Sequence, residues 1–489
     1  MEKEKNRSLD LQLKTQAMQE ILNKTKQVIQ DPFRFHYHIM PPVGLLNDPN
    51  GFVYFKGFYH LFFQWNPFAT NHRNKFWAHM TSTNLVDWKW QSIALAPSDW
   101  FDKDGCYSGS AIENEGKLYL FYTGNVRDSS GDRKSYQCLA VSEDGIQFEK
   151  KGPLFTVPDG YTAHFRDPKV WKEKEQWYLV IGAQTNELLG CALLYHSPNL
   201  FDWELVGEVR DPNIDYSDFG YMWECPDLLP FKEQDALLFS PQGMEPEEFR
   251  YQNIYQTGYI LGELNRKNGC FIHQPFVELD SGFDFYAPQT TIDQAGRRIL
   301  FGWMGLPEES EAYHPTKAYH WIHAMTIPRE LILRDNHLYQ QPVKELKQLR
   351  SNQIIDKHKT SSQDEVIYLT GNHEAMEFQF QVNRFQGDAI SFTFDKNTTL
   401  RFDAVEQMLT LTRANFRTNQ LESRKTELKS LTDLHIYLDT SSIEVFVNQG
   451  EKVFSARLFE DLLTRQLTIK VTGTLQYDVS GWQLNKVMR

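Results

Sequence analysis

Three carboxylates stand in short, distinctive settings along this sequence: Asp48 in NDPNG, Asp167 in FRDPK and Glu224 in WECPD. Brought together, such groups can do one of two kinds of chemistry. One carboxylic acid can protonate the leaving oxygen of an acetal while a second acts as nucleophile or as base for water, and a third stabilises the positive charge that develops at carbon. Alternatively, three oxygen donors can hold a divalent cation. The local residues favour acid–base work, because a DxDxDG loop and an HExxH helix are both absent and a Trp and an Arg next to two of the carboxylates suit a metal poorly. No metal and no cofactor is expected.

The neighbours also divide the labour. Glu224 lies between Trp223 and Cys225, an apolar setting that should keep it protonated, as an acid must be. Asp48 opens the turn sequence Pro49-Asn50-Gly51, whose backbone amides would keep it ionised, as a nucleophile must be. Asp167 follows Arg166, which should also favour the charged form. The expectation is therefore Asp48 as nucleophile, Glu224 as acid/base and Asp167 as stabiliser.

Internal repetition supplies the elements that would bring these groups together. A strand, a short polar turn and an aromatic-rich strand recur from Gly51, Ala111, Lys169, Asp227 and Thr291, at a period of about 60 residues. Between them a second segment recurs, as in WAHMTSTNLVDWKW from Trp77 and LLYHSPNLFDWEL from Leu193. Two hairpins per period give four strands per unit, and five units predict an all-β fold with a five-bladed β-propeller over residues 33–338. A β-sandwich of that length would not explain the even period. Because the innermost strand of each blade starts near the axis, the residues opening each repeat should share one pocket: Asn47, Tyr107, Arg166, Trp223 and Phe285 and those that follow them. Three of the five positions offer a carboxylate.

Residues 339–363 read as a linker with a short helix. Beyond them, residues 364–489 hold nine alternating segments, from VIYLTG at Val366 to LTIKVTG at Leu467, with the period of two expected of a C-terminal β-sandwich. That half carries no chemical constellation and is expected to pack against the propeller. At the other end, residues 1–32 are charged and Gln-rich, with Leu11, Met18, Leu22 and Ile29 at helical spacing, and form the expected short N-terminal helix.

The whole chain of 489 residues carries a formal charge of −13 and no Lys/Arg block, which excludes nucleic acid and anionic membranes as expected partners. Five cysteines, odd in number and without CxxC spacing, fit reduced thiols. Neither a secretory-type apolar segment nor eighteen consecutive apolar residues occurs, so a cytoplasmic protein is expected.

In this order and spacing, NDPNG, FRDP and WECPDL resemble the motifs of the family 32 glycoside hydrolases, the β-fructofuranosidases, which include invertases, fructanases and sucrose-6-phosphate hydrolases. The resemblance covers nearly the whole chain and implies the same propeller and sandwich. It also implies a retaining mechanism with Asp48 as nucleophile, Asp167 as stabiliser and Glu224 as acid/base, agreeing with the assignment above. A fructosyl pocket lined by Asn47, Gln64, Tyr107, Ser108, Arg166, Tyr286 and Trp303 follows from it. Amides and a guanidinium suit the hydroxyls of a furanose, and an aromatic ring suits its apolar face.

Where many secreted members of that family carry a tryptophan after the QxNP stretch, this chain has NHRNKFW, with His72 at that place. His72, Arg73 and Lys75 form a small basic group at the expected pocket rim, suited to a phosphate; Arg127, Arg133 and Lys134 are rival ligands. The pattern resembles the intracellular members that hydrolyse sucrose 6-phosphate to glucose 6-phosphate and fructose, with a small-molecule sugar or sugar phosphate as sole expected partner. A cytoplasmic β-fructofuranosidase for unphosphorylated sucrose or short fructo-oligosaccharides is the alternative within the class. A non-catalytic sugar-binding propeller is the alternative outside it, and it does not explain why all three carboxylates are present.

Overall fold

Strand-forming aromatic and β-branched runs separated by tight polar turns pair locally, and the first consequence is a set of five separate antiparallel sheets. A computed structural model of the chain describes residues 2–361, 365–367, 374–460, 465 and 467–487. The inner strands of the five sheets are Gly44–Phe55, Cys106–Asn114, Tyr161–Glu173, Met222–Pro230 and Tyr286–Ile292. Each is followed outward by its hairpin partner and two further strands, giving the blades of a five-bladed β-propeller. Residues Trp321 and Ile322, from the long connection of the fifth blade, pair in parallel with Gly44 and Leu45 of the first. That pairing closes the ring.

The inner strands hold one another through side chains rather than through a shared ladder. Lys169 Nζ reaches Asp227 Oδ2 at 2.9 Å and the Thr290 carbonyl at 2.7 Å, joining blades three, four and five. Gln289 Nε2 donates to the Gly109 carbonyl at 2.6 Å, across to blade two, and the Val170 amide donates to Ser110 Oγ at 3.0 Å. Buried groups near the axis are thus paired with one another, as burial demands.

The C-terminal half is one sheet of ten strands curled on itself, and its two faces meet in a single core containing Phe378, Ile390, Leu400, Ile443, Val445 and Ile469. Two strands of 18 residues, Met376–Thr393 and Leu467–Leu484, run through both layers. Register shifts between Val382 and Arg384 and between Gly387 and Ala389 mark bulges along the first, and bulges bend strands. Of the expected strand VIYLTG, Val366 and Ile367 pair with this sheet, and the rest lies outside the described residues. The stretch read as linker behaves differently from expectation. Only Lys344–Leu349 forms a short 3₁₀ helix, while Arg350–Ser361 is a strand paired to the long C-terminal strand. Its charged residues are exposed, which conceals the alternation that identifies a half-buried strand.

Charged groups lock the two halves together. The Arg329 guanidinium, wholly buried, contacts Asp280 at 3.0 Å and Glu444 at 2.7 Å. His38 sits between Asp439 at 2.8 Å and Glu444 at 2.9 Å, and the two carboxylates hold it more basic than usual despite its burial. Asp439 also accepts from the His36 and Tyr37 amides. Removing one partner from such a network leaves an uncompensated buried charge.

The N-terminal segment forms one helix, α1 (Glu2–Ile29), lying on the first blade. Its packed stripe is Leu13, Ala17, Ile21 and Val28, with Ala17 and Val28 buried. Leu11, Met18, Leu22 and Ile29 are exposed instead. Ala17 lets the helix approach closely, and Asn6 and Lys14 bond to Asp99 and the Ala94 carbonyl.

Candidate active site

All three carboxylates occupy one local device. Each inner strand breaks register at an equivalent place: between Leu46 and Pro49, Cys106 and Gly109, Arg166 and Lys169, Glu224 and Asp227, and Tyr286 and Gln289. The bulge re-aims the side chains at the mouth of the axis. Proline fits here because a bulged residue needs no ladder N–H, and Pro49, Pro168, Pro226 and Pro288 occupy four of the five. Asp167, Cys225 and Ala287, each before such a proline, have positive φ of 70°, 46° and 48°, a strained geometry that clusters at functional sites. NDPNG is thus a bulge within a strand and not the hairpin turn its composition indicates.

Among the described residues no backbone amide bonds Asp48, so its partners are side chains rather than the expected amide turn. Ser108 Oγ donates to Asp48 Oδ2 at 2.6 Å and Asn47 Nδ2 donates to Oδ1 at 3.1 Å. Gln64 binds both of these helpers, accepting from Asn47 at 3.0 Å and donating to Ser108. Lys75, itself buried, donates to Asn47 Oδ1. Burial and the nearby Glu224 charge raise Asp48 above the ordinary carboxylate range, against the opposing pull of Ser108, Lys75 and Asn47. Burial lowers Lys75 to about 8 although Asp48 and Glu311 favour its charge.

The surroundings of Glu224 also differ from those read off its sequence neighbours. Trp223 stacks on Phe239 with ring centroids 4.1 Å apart and Cys225 enters another core cluster, because successive side chains of a strand face opposite ways. Glu224 itself is half-buried in a polar cage: Arg166 Nε at 2.7 Å, Gln242 Nε2 at 2.8 Å and the Tyr286 hydroxyl at 2.7 Å. Arg166, expected beside Asp167, is hydrogen-bonded to Glu224. Asp167 is the most enclosed of the three at 6% exposure, and its Oδ2 accepts from the Cys225 amide at 3.0 Å. Burial, then the charge of Glu224, push it up to about 7, outweighing Arg166.

The aromatic wall lies beside Glu224. Tyr286 and Trp303 meet edge to face at 6.1 Å, and Trp303 meets His72 at 5.7 Å and His323 at 5.0 Å. The Trp303 indole N–H is buried and has no hydrogen-bond partner among the described residues. Tyr107 gives its carbonyl to the Trp77 indole and its ring to Arg133, whose guanidinium lies 6.0 Å from the centroid.

The basic group His72, Arg73 and Lys75 does not form one rim. Lys75 is turned into the Asn47 network, while His72 is tied through Nε2 to Glu311 at 2.9 Å. Arg73 stays in an exposed loop, where only its backbone amide is bonded, to Asn71. Lys75 Nζ nevertheless lies 3.2 Å from His72 Nδ1, so these two side chains meet and Arg73 alone stands apart, in the irregular segment before the strand Phe76–Ser82.

Three contributors were not legible from the motifs. Gln242 could have been found, since it lies late in the second strand of blade four, as Gln64 does in blade one and Gln184 in blade three. Glu311 and His323 come from the long fifth-blade connection, which has no counterpart in the other repeats. Both His72 and His323, the latter at 2.6 Å, bond to Glu311, which holds Glu311 well below the ordinary range. Among the described residues these three have ligand atoms within 4.8 Å of one another, a spacing a metal could also use, but here they satisfy each other as hydrogen-bond partners.

Comparison with known proteins gives a consistent result over the full length. The profile of the glycosyl hydrolases family 32 N-terminal domain matches residues 38–342, and that of the family 32 C-terminal domain matches residues 345–483. The sucrose-6-phosphate hydrolase of Bacillus subtilis (strain 168) is 49% identical over 97% of this chain and 99% of its own length. Among solved structures, the sucrose-6-phosphate hydrolase from Lactobacillus gasseri superposes with a TM-score of 0.87 at 31% identity, covering 96% of this chain and 97% of that one. The Bombyx mori GH32 beta-fructofuranosidase gives 0.85 at 35%, covering 97% and 99%.

Proposed function

The chain belongs to glycosyl hydrolase family 32, and from that premise we propose that it hydrolyses sucrose 6-phosphate to glucose 6-phosphate and fructose with retention of configuration. The observation that carries the chemistry is the shared bulge, which accompanies three carboxylates, Asp48, Asp167 and Glu224, close enough that the charge of Glu224 raises the proton affinity of the other two. Asp48 attacks the anomeric carbon of the fructosyl unit while Glu224 gives its proton to the departing glucosyl oxygen, so one C–O bond forms to Asp48 as the glycosidic C–O bond breaks. Glu224, now ionised, takes a proton from water. That water attacks the same carbon and releases fructose and free Asp48.

The surrounding groups fit these steps. Ser108 and Asn47 orient Asp48 and soften the cost of its charge. Arg166, Gln242 and Tyr286 fix both Glu224 oxygens and stabilise the carboxylate left after proton transfer. Asp167 provides negative charge near the positive transition state. Trp303 and Tyr286 form the aromatic wall beside Glu224 that suits the apolar face of the sugar.

The substrate reading is supported by the 40–49% identity to several bacterial sucrose-6-phosphate hydrolases. The cytoplasm is the compartment this reading proposes, because a sugar phosphate made inside a cell does not leave it unaided. Five free thiols suit that compartment, and no helix among the described residues is long and apolar enough to cross a membrane. The test is kcat/KM on sucrose 6-phosphate, sucrose and a fructo-trisaccharide side by side. A preference for the phosphate of about tenfold or more, near 1.4 kcal/mol, is expected; equal or better turnover of the unphosphorylated sugars would overturn the substrate reading.

A further inference from the structure

We propose that Arg133, at the start of the third strand of blade two, is the phosphate-binding residue of the leaving-group subsite. The inference rests on the sucrose 6-phosphate reading and says where the phosphate goes. Proton donation by Glu224 fixes which side of the site the glucosyl unit occupies, since its bridging oxygen must lie against Glu224 and its remaining atoms beyond it. The basic residues His72 and Lys75 are already engaged: Lys75 with Asn47 and His72, and His72 with Glu311.

Beyond Glu224, three cations come from one hairpin, and only one is free. Arg127 donates to the Gly131 carbonyl at 2.9 Å, and Lys134 lies 3.7 Å from Asp128 in an exposed pair. Arg133 is half-buried and has no hydrogen bond or ion pair among the described residues; its guanidinium only overlies the Tyr107 ring. A half-buried guanidinium presents five donors in a planar fork that matches phosphate oxygens two at a time. Leaving it unmatched is costly unless a ligand arrives.

The electrostatics and the space agree. Burial, then the charges of Arg166 and Arg127, disfavour the Arg133 cation, while Tyr107 and Glu224 favour it, so an arriving anion would relieve two like-charged neighbours. A cleft of about 430 Å³ between blades two and three is lined by Arg133, Tyr136, Asp159, Tyr161 and Ala163, within the range of sugar-sized sites. It opens beside His164, whose Nδ1 accepts from Arg166 NH1 at 3.0 Å. That bond places the imidazole proton on Nε2, giving the subsite a second donor.

The experiment compares the ratio of kcat/KM for sucrose 6-phosphate to that for sucrose in the native enzyme and in Arg133→Ala, Arg133→Lys and Arg73→Ala. Loss of a charge-assisted bidentate pair should lower the ratio about tenfold or more in Arg133→Ala and less in Arg133→Lys, with Arg73→Ala keeping the native ratio. Glucose 6-phosphate should inhibit sucrose turnover more strongly than glucose in the native enzyme, and Arg133→Lys should narrow that gap. A native ratio retained in Arg133→Ala, or lost in Arg73→Ala, would overturn the assignment while leaving the hydrolase reading intact. A native enzyme without preference for the phosphate would overturn the substrate reading instead, so the two failures are distinguishable. Should Arg133→Ala fail to fold, the inhibition series with Arg133→Lys decides: an unchanged gap between glucose 6-phosphate and glucose counts against Arg133.

Discussion

Replacing Asp167 by Asn should make the protein more stable at neutral pH while impairing turnover. The folded protein pushes Asp167 from 3.8 up to about 7, through burial and the charges of Glu224 and Asp48. A carboxyl whose pKa is raised on folding contributes full stability below its unfolded value and loses that contribution as pH rises through the folded value. Between 3.8 and about 7 lie roughly three units, each about 1.4 kcal/mol. Part of that is shared with Glu224 and Asp48, so the ionised side chain costs the fold about 2–4 kcal/mol at pH 7. Asparagine keeps the shape and can still accept from the Cys225 amide, which donates to Asp167 at 3.0 Å. Denaturant titration of both proteins at pH 7 and near pH 4 is the assay. The Asn variant should gain about 2–4 kcal/mol at pH 7 and almost nothing near pH 4, while kcat falls on the order of 10²–10³-fold through lost charge stabilisation. A variant less stable than native at pH 7, or a gain of equal size at both pH values, would refute the reasoning.

Two other perturbations probe the framework around the site. Arg329→Met removes the buried cation that pairs with Asp280 and leaves Glu444 with His38 alone. It should cost about 3–5 kcal/mol in equilibrium unfolding, and a loss below about 1 kcal/mol would show that the network contributes little. Lys75, lowered to about 8 by burial, loses the charge that anchors Asn47 as pH rises past that value. The alkaline limb of kcat/KM should therefore fall near pH 8, and a profile still flat about two units higher would remove Lys75 from the catalytic network.

The propeller was legible because its repeat is a sequence period, and the three carboxylates because they recur at one place within it. Gly51, Ala111, Lys169, Asp227 and Thr291 each open a hairpin on an inner strand. What the sequence conceals is direction. Trp223 and Cys225 flank Glu224 in the chain yet face away from it, and Arg166 precedes Asp167 yet serves Glu224, because a bulged strand sends neighbours to different faces. Proline and glycine in NDPNG carry the same signal for a bulge as for a turn. Local chemistry alone cannot separate the two. In the N-terminal helix the spacing of Leu11, Met18, Leu22 and Ile29 indicates the helix but not its buried face: Ala17 packs because it is small, whereas Leu11 and Leu22 are large but exposed. Sequence proximity also hides engagement: His72 and Lys75 bond each other and are held by Glu311 and Asn47, while the Arg133 side chain has no polar partner among the described residues, a property only the folded chain has.

The account stands on Asp48 as the group that carries the fructosyl unit. In Glu224→Gln the first step survives with a leaving group that needs no proton, but the base that activates water is gone, so the covalent intermediate should accumulate. Mass spectrometry of peptides from such a reaction, quenched in acid, is the direct measurement. One hexosyl unit on the peptide containing Asp48 is the predicted result, and an adduct on the Asp167 peptide, or none at all with product of inverted configuration, would contradict it.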